Sequence, residues 1–381
     1  MKNCNVFGRC GGCQYLDIPY QKQLEDKKSA VSALFSRDKV NDVIGMDDPY
    51  GYRHKVIGTF GINAKGKISF GIYEEHSHRL VFEQQCLLNN PKANAILSDL
   101  CRIADDMKLT VFDVKKQQGL LRHCLIRCGY NTDQIMVILV IHEKVLPGSK
   151  DLVRRLREIH PEITTMILNV NTRDTTFVLG PQSKVLFGKG YIEDKLSGVT
   201  FSISPSSFYQ VNPEQTEKLY ATAIRMGDFR NTDVILDAYC GIGTISLFAA
   251  PYVRKVIGVE LNREAVNDAR NNAKTNNMTN VSFHAGDAGH FMADMHERLD
   301  GVILDPPRSG CSKQFVEYLL KAEPQKIVYI SCNPETQKRD CAQLIKGGYR
   351  IRKIQPVDMF PHTAHCENIV LLVRNNNRTR R

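Results

Sequence analysis

The sequence predicts an α/β protein in three parts: a cysteine-bearing N-terminal segment, a central α+β domain and a C-terminal doubly wound, Rossmann-like domain. Three observations carry this. From about residue 205 onward, short apolar runs alternate with helical stretches, the pattern of a parallel sheet covered by helices on both faces. Residues 236–245, Leu-Asp-Ala-Tyr-Cys-Gly-Ile-Gly-Thr-Ile, read as strand, glycine loop and helix start. Cys4, Cys10 and Cys13 crowd the opening residues.

The elements follow in order. Residues 20–35 place Leu24, Val31, Leu34 and Phe35 at near-helical spacing, which predicts a helix. Residues 52–60 alternate basic and apolar side chains, which predicts a strand pair with turns at Gly61 and Gly66. In the middle, strands are expected at 120–129, 134–142, 165–171 and 176–179, with a helix at 152–159 between the second and third. Beyond 205 they are expected at 234–236, 255–260, 281–285, 301–304 and 326–331, with a helix over 263–276. The expected divisions are 1–90, 91–204 and 205–381.

Composition sets outer limits. The 381 residues suit two or three domains. The longest apolar run, 135–141, has the length of a buried strand and falls well short of the ~20 residues of a membrane span. The opening residues carry no hydrophobic signal core, so a soluble cytoplasmic protein is expected. Twelve cysteines in a reducing compartment point away from a disulfide framework and toward metal binding, catalysis and burial. The net charge of +10 and the basic tail 374–381 favour a nucleic-acid partner over plain solvation.

Two features in register point to a cofactor. The glycines of 237–243 let the backbone approach a ligand closely. The strand 255–260 ends on Glu260, whose carboxylate can accept hydrogen bonds from both hydroxyls of a ribose. Glycine turns and strand-end acids each have bland explanations. Together they make S-adenosylmethionine the better reading, with Asp287 near the adenine.

The reacting groups lie further on. Asp305-Pro306-Pro307-Arg308 ends a strand, where open α/β sheets bind ligands. Arginine there suits a phosphate or a base edge. Cys332 ends another strand and precedes Asn333-Pro334, so a turn presents its thiol. Amino-group methylation needs no such thiol. Uracil C5 is a poor nucleophile, and a thiolate adding at C6 makes C5 reactive toward an electrophilic methyl. A base must then remove the C5 proton, and Glu367, after a loop with two histidines, is the best candidate. Free cysteines are usually buried structural thiols. Cys240 and Cys311 are read that way, and Cys101, Cys124, Cys128, Cys341 and Cys366 as buried or surface thiols. Cys4, Cys10 and Cys13, with Cys86 as a distant fourth, suit zinc or an iron–sulfur cluster, and spacing leaves both open.

At this point the chain resembles the RNA uracil-5-methyltransferases, in particular the iron–sulfur branch that acts on 23S ribosomal RNA. Ser206-Ser-Phe-Tyr-Gln-Val-Asn212, the loop 237–243, 305–308 and 331–334 carry the resemblance, with His365-Cys366-Glu367 closing the site. It implies that Gln210, Tyr239, Glu260 and Asp305 contact S-adenosylmethionine, that Asp305 also touches the target uracil, that Cys332 is the nucleophile and that Glu367 is the base. It implies a 4Fe–4S cluster on Cys4, Cys10, Cys13 and Cys86, closed by the fourth cysteine and therefore not a radical centre. Many larger relatives carry an N-terminal RNA-binding barrel, for which the position of Cys4 is expected to leave no room.

A uracil in folded RNA must leave its stack to reach Cys332. Arg53, His54, Lys55, Lys115, Lys116 and Arg122 are candidates for backbone contacts. Transfer RNA is the alternative substrate for the same chemistry. Amino-group methylation would leave Cys332 dispensable. A non-catalytic iron–sulfur RNA-binding protein would have no use for the set Gln210, Glu260, Asp305, Cys332 and Glu367. No protein partner or membrane is called for, and a monomer is expected.

Overall fold

The computed structural model describes residues 2–75, 77, 79–173 and 177–375. Residues 376–381 of the basic tail, and Thr176 of the expected strand 176–179, lie outside the described residues.

Helix α1 (Tyr20–Leu34) comes first. A sheet then forms from β1 (Lys55–Ile62), β2 (Ile68–Tyr73), β3 (Leu80–Phe82), β4 (Leu121–Cys128), β5 (Ile135–Ile141), β6 (Ile163–Val170) and β7 (Gln182–Phe187), in the order β3-β2-β1-β4-β5-β6-β7. Helices α2 (Pro91–Asp106) and α3 (Ser149–Ile159) cover one face. The pair β5–β6 is parallel, and α3 is the crossover that parallel neighbours require. Every residue of β5 is buried, because both faces are covered. Val137, Leu139 and Ile141 join the core under α2 and α3, while Met136, Ile138 and Val140 join a core shared with the C-terminal part.

A hairpin, β8 (Ile192–Leu196) and β9 (Val199–Ile203), leads into the second sheet. Its strands are β10 (Val234–Ala238), β11 (Lys255–Glu260), β12 (Val281–Ala285), β13 (Gly301–Leu304), β14 (Lys326–Ser331), β15 (Tyr349–Val357) and β16 (Glu367–Arg374). They run in the order β12-β11-β10-β13-β14-β16-β15. The first five are mutually parallel, and β16 slots antiparallel between β14 and β15. Helices α4 (Pro213–Gly227), α5 (Thr244–Ala249), α6 (Arg263–Thr275), α7 (Ala288–Ala293), α8 (Lys313–Ala322) and α9 (Pro334–Lys346) flank it. Strand order reverses between β10 and β13, the crevice where such sheets bind ligands.

Several expectations need correction. Gly61 lies inside β1, and the turn is at Gly66, whose φ of +71° suits glycine. Residues 177–179 form no strand; Asn171 Nδ2 ties down the carbonyls of Phe177 and Val178, and the edge strand is β7 instead. The boundary at residue 90 falls between strands of one sheet, since β1 pairs with both β2 and β4. Residues 20–46 belong with the C-terminal sheet. Val31, Phe35 and Val40 pack with Leu304, Tyr329 and Ile354, and Val40 and Ile44 bridge to Ile354 and Val357. Among the described residues no helix is long and apolar enough to cross a membrane.

Candidate active site

Cys332 sits between the end of β14 and the N-cap of α9. Ser331 Oγ accepts from the Asn333 N–H at 3.1 Å, and Asn333 Oδ1 accepts from the Glu335 N–H at 3.1 Å, so the turn is closed on both sides. Cys332 is half-exposed, whereas Cys101, Cys124, Cys128, Cys240, Cys311, Cys341 and Cys366 are all buried. Burial pushes its thiol up to about 11, Glu367 and Asp305 push the same way, and Arg308 opposes them.

The Asp305-Pro-Pro-Arg loop docks on the same helix. The Arg308 carbonyl accepts from Asn333 Nδ2 and Thr336 Oγ1, both at 3.2 Å. Buried Asp340 accepts from the Cys311 N–H at 2.8 Å and the Tyr329 hydroxyl at 2.7 Å. Loop, strand end and helix start are therefore one unit, and Cys311 is a structural thiol inside it.

Glu367 opens β16. The ladder pairs Ser331 with Asn368, which brings the next residues, Cys332 and Glu367, to the same end of the sheet, close enough for Glu367 to act on the thiol. Gln337 fastens this end by donating to the carbonyls of Tyr329 at 2.8 Å and Asn368 at 3.0 Å. Glu367 is buried, and burial first, then Asp305, hold its carboxyl well above the usual range, with Arg308 opposing. Burial raises Asp305 to about 7. Arg308 in turn reaches His365 Nδ1 at 3.2 Å.

At the other end of the crevice, Tyr239, Gly241 and Gly243 have φ of +69°, +54° and +84°. A non-glycine residue in this region marks a constrained turn. A Cβ at Gly243 would meet the Phe283 ring at 2.8 Å. The Glu260 carboxylate accepts from the Gly241 N–H at 3.2 Å and the Asn262 N–H at 2.9 Å. Asp237 Oδ2 accepts from Ser246 Oγ at 2.6 Å, while its buried Oδ1 has no partner among the described residues. Asp287 is exposed and caps α7 through the His290 N–H at 3.0 Å.

Gln210 precedes α4 on a loop fastened by Arg127, whose guanidinium donates to the carbonyls of Ser207 at 2.5 Å and Pro205 at 3.3 Å. Gln210 reaches the hydroxyl of buried Tyr220, which Asp305 and Glu367 also face; burial first, then Asp305, keeps that hydroxyl protonated. Tyr220 escaped the sequence reading. Its only local signal is an aromatic on the inner face of α4.

Cys4, Cys10, Cys13 and Cys86 line one small apolar cavity with Val6, Leu16, Ile72 and Val81. The Gly12 N–H donates to Cys10 Sγ at 3.3 Å. Burial raises Cys10 and Cys13, the latter to about 11, with Cys86 adding to both. Among the described residues no three His, Cys, Asp or Glu side chains are grouped tightly enough for a single metal ion. Two of the basic candidates serve internally: Arg53 donates to the Gly12 carbonyl at 2.7 Å, and buried Arg122 to those of Asn171 at 2.6 Å and Arg173 at 2.9 Å. Lys115 and Lys116 are exposed.

The sheet order, the glycine loop after β10 and the acid ending β11 define a Rossmann-like, S-adenosylmethionine-dependent methyltransferase. Residues 19–375 match the tRNA (uracil-5-)-methyltransferase family, and the chain belongs to that family of RNA methyltransferases. An RNA methyltransferase of Staphylococcus aureus (strain MSSA476) is 39% identical over 377 residues, covering 97% of this chain and 83% of the relative. One from Clostridium tetani (strain Massachusetts / E88) is 40% identical over 377 residues, covering 97% and 82%. Among solved structures, the Pyrococcus abyssi tRNA (uracil-54, C5)-methyltransferase in complex with S-adenosyl-L-homocysteine matches with a TM-score of 0.80 at 28% identity, over 96% of this chain and 86% of that one.

Proposed function

We propose that this enzyme methylates C5 of a uridine in 23S ribosomal RNA through a covalent adduct on Cys332. The observation that carries the reading is the half-buried Cys332 thiol at the strand end with Glu367, Asp305 and Arg308 close enough to act on it. Cys332 Sγ bonds to C6, and the electron pair moves toward C5 and the neighbouring carbonyl. When bound, S-adenosylmethionine would supply the electrophilic methyl for C5, its methyl–sulfur bond breaking and S-adenosylhomocysteine being left. Glu367 then removes the C5 proton, the C5–C6 double bond re-forms, and the thiolate leaves. Arg308 favours the thiolate, and the crowded carboxylates favour a proton on Glu367 once it has accepted one.

Gln210, Tyr239, Glu260 and Asp305 hold the cofactor, with Asp287 at the adenine end. The unpartnered Asp237 oxygen and the left-handed backbone of the loop fit a polar ligand lying close to it. Cys4, Cys10, Cys13 and Cys86 hold a 4Fe–4S cluster. A lone zinc needs four sulfurs at ~2.3 Å from one point, whereas a cluster spreads its thiolates over separate irons. The four cysteines line one cavity, which supports a shared metal centre there, and the family resemblance favours the cluster. The enzyme acts as a cytoplasmic monomer.

Transfer RNA is the second reading, favoured by the likeness to the Pyrococcus abyssi enzyme. Tritium release from uracil-C5-labelled ribosomal and transfer RNA, with wild type and Cys332→Ala, tests both. Release from ribosomal RNA that requires Cys332 is expected. Release from transfer RNA alone would move the substrate, and methyl incorporation without release would overturn the C5 chemistry.

A further inference from the structure

The segment joining β15 to β16 delivers His365 and Glu367, yet much of what holds it comes from the other end of the chain. Five consecutive residues have their backbone bound from outside. The Asp358 carbonyl accepts from Gln215 Nε2 at 2.9 Å, and that of Met359 from Asn212 Nδ2 at 3.0 Å. The Phe360 carbonyl accepts from Lys27 Nζ at 3.2 Å, and that of Pro361 from the Tyr52 hydroxyl at 2.9 Å. The His362 carbonyl accepts from the N–H groups of Gln14 and Tyr15 at 2.9 and 3.0 Å.

Helix α1 grips the segment by side chains as well. Lys27 Nζ meets Asp358 Oδ1 at 2.6 Å, and the Tyr20 hydroxyl meets Asp358 Oδ2 at 2.9 Å. Gln23 binds His362 twice, accepting from its N–H at 3.0 Å and lying 3.1 Å from Nδ1. His362 has a φ of +63°, uncommon for a non-glycine residue and held here by its surroundings. Gln23 and the stacked Tyr50 ring, 4.7 Å away, are those surroundings.

We propose that Gln23 and Lys27 are positioning residues for the methylation, holding residues 358–366 in the conformation that sets Glu367 close to Cys332. The inference rests on the reading above that Cys332 and Glu367 carry the chemistry. Neither positioning side chain touches substrate. Each acts through the segment, on the step that needs Glu367.

The test uses the full-length protein as isolated, and two variants. Gln23→Ala removes both bonds to His362. Lys27→Met/Asp358→Leu removes both partners of the ion pair together, so that no buried charge is left alone. Single-turnover tritium release should fall about tenfold to a hundredfold in each, the scale of a small misplacement of a reacting group. S-adenosylmethionine affinity should stay as in wild type. A covalent protein–RNA adduct should accumulate on denaturing gels, because elimination slows more than addition. Wild-type turnover in both variants overturns the proposal, and so does lost turnover with parallel loss of cofactor affinity and no adduct. Glu367→Gln is run alongside. If it traps an adduct and Gln23→Ala does not, positioning alone fails. If Glu367→Gln turns over normally, the catalytic reading itself fails.

Discussion

Lys27 and Asp358 lie 331 residues apart in the chain and meet at 2.6 Å in the interior, their side chains 2% and 0% exposed. Burial raises the Asp358 carboxyl, and Lys27 is the strongest influence opposing it. Removing one partner alone strands a buried charge. Lys27→Ala is therefore expected to cost ~3–5 kcal/mol in urea unfolding, more than the paired substitution. A single-variant loss no larger than that of an exposed surface pair would contradict this.

Cys332→Ala should abolish turnover while leaving cofactor binding intact. The thiol lies at the end of β14, on the far side of β13 from the glycine loop of β10. Equilibrium dialysis with labelled S-adenosylmethionine and tritium release separate the two effects. Near-normal release would rule out the covalent route.

Glu367→Gln keeps the shape of the side chain and removes the proposed base. Addition and methyl transfer proceed, elimination stalls, and a protein–RNA adduct survives denaturing electrophoresis. No adduct would assign the proton to another group.

Asp237 should make the cofactor-free protein less stable as pH rises. Burial lifts its carboxyl to about 7, Ser246 opposes this, and Asp305 and Glu260 add to it. An unfolded Asp titrates near ~3.9. Between those values the folded state keeps a proton that the unfolded chain has released, so stability present at low pH is lost as pH rises through the window. His123 and His362, lowered to about 4 by burial, work in the opposite direction. They cancel in a comparison with Asp237→Asn. Relative to wild type, that variant should gain on the order of a few kcal/mol between pH 5 and pH 8 in thermal melts. A pH-independent difference would refute the assignment.

On the proposal that the four cysteines hold a cluster, its removal should loosen the segment before Glu367. Gln14 follows Cys13, and the N–H groups of Gln14 and Tyr15 both donate to the His362 carbonyl. Amide exchange by mass spectrometry should rise at residues 10–16 after anaerobic chelation, and at 358–365 with it. Faster exchange at 10–16 alone would show that the cavity and the segment are uncoupled.

Much of the catalytic sheet was legible locally. Strands 255–260, 281–285, 301–304 and 326–331 have the bounds expected of them; 255–260, 301–304 and 326–331 are interior parallel strands, which must be apolar on both faces, while 281–285 is the edge strand, only its Phe283 buried. Cys332 was legible because a strand end followed by Asn-Pro forces a turn, and the turn leaves it half-exposed. The basic residues were less so. Charge marked Arg53 and Arg122 as surface candidates, but both donate to backbone carbonyls inside the protein.

The doubly wound architecture, the glycine loop and the presented thiol follow from periodicity or turn chemistry within a few residues, and so could be read locally. Only the tertiary structure decided that residues 20–46 join the C-terminal sheet, that Tyr220 stands by Gln210, and that Gln23 and Lys27 brace the segment before Glu367. Local patterns encode which face of an element is buried. They do not encode which distant element covers it, because that choice is made when whole sheets pack and buried polar groups must find partners.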